Sequence, residues 1–88
     1  MPEFRTEPTP NPDSVKITSD HGPFIDGGME SFSSIEEAAD HPLGSTLLRI
    51  PGIANVFIMP QFVTVTKQPA ASWDEVMPKV KQALSSHF

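Results

Sequence analysis

Eighty-eight residues, 38% of them hydrophobic and 19% charged, suffice for one small globular domain and leave no room for a second. The absence of cysteine excludes disulfides, thiolate metal ligation and a thiol nucleophile. Eleven acidic against six basic residues give a formal charge of -5, a field that repels phosphate backbones and argues against nucleic acid as a partner. The opening MPEFRTEPTP has no apolar leader, and no apolar run approaches the roughly 18 residues of a membrane span. The expectation is a cytoplasmic chain without membrane contact.

In chain order, EFRTE and SVKITSD alternate like strands, with Val15 and Ile17 on one face and Lys16 and Thr18 on the other. Between them stand Pro8, Pro10 and Pro12. Thr9 and Asn11 each precede a proline and are biased to extended conformations, so the spacing predicts a stiff, extended connector. Such prolines also block further pairing at a sheet edge. In HGPFIDGGMESF, Asp26-Gly27-Gly28 favours a reversal between two short strands, Phe24-Ile25 and Met29 to Phe32. Ser33 lies three residues before Glu36, the spacing of a capping box that starts a helical turn or two. Pro42 suits the first turn of another short helix carrying Leu43, Leu47 and Ile50, stopped by Pro51-Gly52.

The segment IANVFIMPQFVTVTK predicts the central hairpin. Pairing Ile58 with Val63 and Val56 with Val65 puts four β-branched residues on one face, the natural core side. Phe57, Met59, Phe62, Thr64 and Thr66 then share the other. Pro60 cannot adopt positive φ, so a four-residue loop around a type I turn fits better than a two-residue primed turn. Ser72 and Glu75 repeat the capping-box spacing, and Trp73, Val76, Met77, Val80 and Leu84 follow as the apolar stripe of a closing helix. Pro78 lacks the N–H owed to Asp74 and is expected to bend that helix.

The residues offer little chemistry. Asp20-His21 and Asp40-His41 adjoin turn and helix breakers, which assigns them to turns and caps; His87 meets the negative end of a helix dipole. Glu36 and Glu37 point in different directions on a helix start and form no acid–base pair. No Walker loop, G-x-G-x-x-G, G-x-S-x-G or H-E-x-x-H occurs. The inventory predicts a protein that is not an enzyme. What remains is surface. With both helical regions on the valine face, Phe57, Met59 and Phe62 are either covered by the proline-rich arm or another helix, or form an interface patch of aromatic and methionine side chains.

The stretches TEPTPNPDSVKI, GMESFSSIEEAADHPLGSTLLRIPGIANVFIMPQFVTVTK and WDEVMPKVKQALSSHF closely resemble, in this order and over nearly the whole chain, the N-terminal domain of the Nfu/NifU-type iron–sulfur scaffold proteins. The most specific parts are Thr6 to Pro12, Ile50 to Phe57 and Phe62 to Lys67. The resemblance implies an α+β fold in a single small domain over residues 1–88: a mainly antiparallel sheet of about four strands with two to three helices packed mostly on one face. It also implies a place in iron–sulfur cluster biogenesis. In the scaffold proteins a following domain supplies the C-x-x-C pair that holds the cluster; this chain has no cysteine, so no cluster-ligating residue carries over and no cofactor is expected.

The reading is a non-catalytic, cysteine-free adaptor that meets a protein partner: an iron–sulfur scaffold, an assembly factor or a client apoprotein. Thr9, Pro10, Asn11 and Pro12, together with Phe57, Met59 and Phe62, are its candidate contact site. The alternatives are a small-molecule or metal-ion binding domain using His and Asp near the loops, and a tiny enzyme with a pocket of convergent polar groups. The residues assign no oligomeric state.

Overall fold

The computed structural model describes residues 4–19, 23–25 and 27–87, the last of these by its backbone. Five strands, β1 (Phe4–Pro8), β2 (Ser14–Ser19), β3 (Glu30–Phe32), β4 (Ile53–Ile58) and β5 (Phe62–Lys67), and two helices, α1 (Pro42–Leu48) and α2 (Trp73–His87), follow one another with α1 before β4 and α2 last. The sheet is antiparallel with spatial order β1-β2-β5-β4-β3.

Register follows the hydrophobic alternation. Ile58 stands opposite Val63 and Val56 opposite Val65, the pairing expected of the hairpin, and Ile17 and Val15 continue the same face from β2. A one-residue slip would turn Val56, Ile58, Val63 and Val65, all fully buried, to solvent. Both helices cover that face. Leu43, Leu47 and Leu48 of α1 join Val76, Val80 and Leu84 of α2 in one core cluster with the strand residues. Each such side chain stabilises the fold by roughly 1.5–3 kcal/mol through burial.

The hairpin closes over Met59 to Gln61, with Met59 N–H donating to Phe62 O at 2.8 Å. Among the described residues only Gly28 and Gly52 have positive φ, so this turn is not of the primed type. Five strands replace the expected four or so, because the short β3 pairs with β4 through Glu30–Ile58, Ser31–Phe57 and Phe32–Val56. Phe24 and Ile25 do not form a strand. Instead Phe24 N–H donates to Pro60 O at 2.9 Å and its buried ring lies 6.5 Å from that of Phe4, closing the end of the core. Asp26, within the expected reversal, lies outside the described residues, as do Asp20 and His21.

Residues 33–40 form turns rather than a regular helix, and the serine that caps them is Ser34, whose Oγ accepts from Glu37 N–H at 3.2 Å. His41 must be extended ahead of Pro42, at φ -113 and ψ 108, which interrupts the helical path and makes α1 start afresh. His41 is the N-cap of α1: its Nδ1 accepts from Gly44 N–H at 3.0 Å. Helix α1 ends at Leu48, so Ile50 packs beside the core from the linker. At α2, Ser72 Oγ accepts from Asp74 N–H at 3.3 Å, a cap placed where the spacing puts it.

Candidate docking face

Alternation that sends valines inward sends a second set of residues to the sheet's other face, which carries neither helix. Reading across the strands by register, Arg5, Thr18 and Phe62 form one row; Glu7, Lys16, Thr64, Phe57 and Ser31 form the next; Ser14, Thr66 and Asn55 form a third. The third row is a hydroxyl and amide ladder: Ser14 Oγ and Thr66 Oγ1 are 2.7 Å apart, and Asn55 Nδ2 donates to Ser33 Oγ at 3.1 Å. The aromatic residues sit diagonally. Phe57 and Phe62 have ring centroids 6.1 Å apart at an interplanar angle of 52°, a tilted pair within the distance range of favourable aromatic contacts.

Phe57, Met59 and Phe62 are all half-buried. Neither the proline-rich segment nor a helix lies over them. Lys16 instead sends its ammonium over the Phe62 ring, 4.8 Å from the centroid, while the same Nζ lies 3.7 Å from Glu7 Oε2. The cation covers one face of the Phe62 ring, and both rings keep partial exposure. Lys16 was placed on this face by the alternation of β2, but its partnership with Phe62 depends on the β2–β5 pairing, which no local pattern encodes.

The other half of the expected contact site is elsewhere. Thr9 to Pro12 belong to the compact loop between β1 and β2, not to an extended connector. Thr9 Oγ1 accepts from Asn11 N–H at 3.2 Å, Asn11 Oδ1 accepts from Asp13 N–H at 2.9 Å, and Ser14 N–H reaches Asn11 O at 3.0 Å. These side-chain bonds mimic backbone turns, and the prolines restrict a reversal rather than a straight path. Trp73 Nε1 donates to Pro12 O at 3.2 Å, and Lys67 Nζ lies 2.8 Å from Asp13 Oδ1, so the loop is fastened to α2 and β5. Phe62 stands beside Thr18, whereas the loop adjoins Ser14, four residues earlier; at about 3.4 Å per residue the two parts are roughly 14 Å apart along β2. The structure therefore brings Phe57, Met59 and Phe62 together and holds Thr9, Pro10, Asn11 and Pro12 at the opposite end of the sheet.

Open grooves among the described residues accompany the helices. One of about 250 Å³ lies between α1 and α2, lined by Pro42, Leu43, Thr46, Ala83 and Ser86. Another, of about 380 Å³, runs between β1 and α2 beside Pro8, Val15, Trp73 and Met77, and a third of about 360 Å³ continues it past Pro78 and Lys81. Among the described residues, no three His, Asp or Glu side chains stand together as metal ligands.

The family model described as "Scaffold protein Nfu/NifU N terminal" matches residues 4–88. A Drosophila willistoni protein described as "NFU1 iron-sulfur cluster scaffold homolog, mitochondrial" is 32% identical over 85 residues, covering 97% of this chain and 29% of its own. "NifU-like protein 4, mitochondrial" of Arabidopsis thaliana is likewise 32% identical, with 97% and 30% covered. This chain thus spans under a third of the length of these curated relatives. In fold it is similar to the solution structure of a NifU-like protein from Saccharomyces cerevisiae, with TM-score 0.78 and 21% identity over 96% of this chain and 76% of that one. A Staphylococcus aureus crystal structure gives TM-score 0.76 and 24% identity over 90% and 93%.

The relatives overturn the cytoplasmic expectation, since both are described as mitochondrial. A search for an apolar leader detects secretory signals and is blind to amphipathic organelle-targeting segments. The matched model, spanning all but the first three residues, identifies the chain as a member of the Nfu/NifU scaffold N-terminal family.

Proposed function

We propose that this chain is a non-catalytic interaction module of iron–sulfur cluster assembly, which docks a protein partner on the helix-free face of its sheet through Phe57, Met59 and Phe62. The observation that carries this reading is the half-buried Phe57–Phe62 pair, flanked by Lys16, on the face of the sheet opposite the two described helices. Clustered aromatic and methionine side chains ringed by threonine, serine and a cation have the composition of an interface core with a polar rim.

The module does not hold the cluster itself. Iron–sulfur clusters need thiolate ligands, and the chain has none. Its partner is a protein that does: a cluster scaffold, an assembly factor or a client apoprotein. Membership of a scaffold family and relatives described as iron–sulfur cluster scaffold homologs support that class. The loop from Thr9 to Pro12 serves this face indirectly, by fixing β1 against β2 and α2.

The test is chemical-shift mapping of the labelled 88-residue chain against a purified C-x-x-C scaffold domain, empty and cluster-loaded, and against an iron–sulfur apoprotein. Shifts confined to Lys16, Phe57, Met59, Phe62 and Thr64, lost in a folded Phe57→Ser/Phe62→Ser variant, would support the reading. Binding centred on the helices, or unaltered in that variant, would overturn it.

A further inference from the structure

Strand β1 is one edge of the sheet, paired on a single side, and its residues Arg5 to Pro8 are exposed. The side of the chain each backbone group faces follows from one bond. Met59 N–H donates to Phe62 O, so Phe62 turns its backbone toward β4. Alternation then turns Val63 and Val65 toward β2, Lys16 and Thr18 toward β1, and Arg5 and Glu7 back toward β2. Thr6 N–H and C=O, and Pro8 C=O, consequently point out of the sheet. Pro8 has no N–H to offer on the outer side, so it blocks pairing beyond it and leaves Thr6 as the one residue from Arg5 to Pro8 with both a donor and an acceptor facing outward.

We infer that this edge is self-complementary and that two copies of the chain pair through it, β1 against β1, antiparallel about Thr6. In that register the two Thr6 residues exchange reciprocal N–H to C=O bonds, joining two five-stranded sheets into one. Arg5 of each copy stands opposite Glu7 of the other. These are positions without backbone bonds between them, where opposed side chains come closest. Glu7 already has Lys16 on its inner side at 3.7 Å, so each row across the junction reads cation, carboxylate, cation.

The other face is complementary too. Phe4, Thr6 and Pro8 share the side that faces the helices, and Phe4 of one copy falls opposite Pro8 of the other. Pro8 lines the groove of about 380 Å³ whose other walls are Thr6, Glu7, Val15, Trp73, Asp74 and Met77, so the second copy's Phe4 falls beside its apolar part, Pro8 and Val15. Phe4 already stacks on Phe24, and the pairing carries that apolar layer across the junction. Charge, backbone bonds and apolar contact thus agree on a single register. The edge shares Lys16 with the Phe57–Phe62 face, but its backbone pairing does not depend on what docks there.

A five-residue strand makes a small interface of the transient class, so association belongs to the range from roughly 20 µM to 1 mM. Sedimentation equilibrium on the intact chain over that range is expected to show the mass rising from monomer toward dimer, less steeply at high salt because the ion pairs are exposed. Arg5→Glu and Glu7→Arg each set like charges opposite one another and should weaken association at least about tenfold. The double variant Arg5→Glu/Glu7→Arg restores the charge complement across the junction, though Lys16 loses its carboxylate, and should recover part of the association. All three variants alter only the exposed positions 5 and 7, and circular dichroism checks that each keeps the fold. A monomer at about 1 mM, or a double variant no stronger than the singles, would overturn the inference; binding of a foreign strand peptide to β1 with no self-association would do so as well.

Discussion

Trp73 Nε1 donates to the carbonyl of Pro12 at 3.2 Å, so the first residue of α2 holds the loop between β1 and β2. The bond joins positions 61 residues apart and links the proline-rich segment to the last helix. Trp73→Phe keeps the apolar ring while removing the donor. The expected loss is about 1 kcal/mol, a fall of about 4–8 °C in Tm for a domain of this size. An unchanged melting curve would show that the loop keeps its shape without the helix.

The second fastening is asymmetric in burial. The Lys67 side chain is 11% exposed and that of Asp13 36%, with Nζ and Oδ1 at 2.8 Å. Removing the carboxylate strands an ammonium with little access to water, whereas removing the ammonium leaves a carboxylate that water can reach. Asp13→Ala should therefore cost more, about 2 kcal/mol, than Lys67→Met at about 1 kcal/mol. Urea denaturation of both variants and of the double variant measures the difference and the coupling.

Much of this architecture was legible as local pattern. The register of the β4–β5 hairpin, the start of α1 at Pro42 and the stripe of α2 all follow from periodicity and capping chemistry carried by neighbouring residues. What escaped was non-local. The proline-rich segment is extended by its dihedral preferences, yet Thr9 and Asn11 side chains fold it into a loop, and Trp73 and Lys67 fix it from 50 or more residues away. The candidate site split for the same reason: Phe57 and Phe62 are one hairpin and were grouped by alternation, whereas their distance from Thr9 to Pro12 is set by where β2 lies against β5. Lys16 joined the site only through that pairing.

Helix α1 has seven residues, too short to persist on propensity alone, so its cap and its contacts decide it. His41 supplies the cap through Nδ1 and also lays its ring 5.2 Å from that of Phe32. His41→Ala should cost about 1 kcal/mol, and His41→Asn should recover most of the capping part. Should Asn recover nothing in a thermal melt, the ring contact with Phe32 is the larger contribution.

Gly44 lies in the same helix for a steric reason. A Cβ there would stand 2.7 and 2.8 Å from two carbons of the buried Phe32 ring. Helix propensity favours alanine over glycine by up to about 1 kcal/mol, but a contact this short against a ring held by β3 costs more. Gly44→Ala should destabilise by about 1–2 kcal/mol, and Gly44→Ala/Phe32→Leu should recover part of the loss in the same denaturant series.

Residues 62 and 63 are neighbours in β5 and face opposite sides of the sheet. Val63 is fully buried among Ile17, Ile58 and the helices; Phe62 is half-buried beside Phe57 and under Lys16. Truncating the smaller side chain should therefore cost more. Val63→Ala is expected to lose about 2–3 kcal/mol, transfer and cavity together, and Phe62→Ala less, about 1–2 kcal/mol, because its half-buried ring lies at the surface against Phe57 and Lys16 and its loss leaves no enclosed cavity. Urea midpoints of the two variants decide the matter. The predicted order marks the aromatic pair as surface the fold can spare; the reverse order would make Phe57 and Phe62 structural residues and remove the docking face from the proposal.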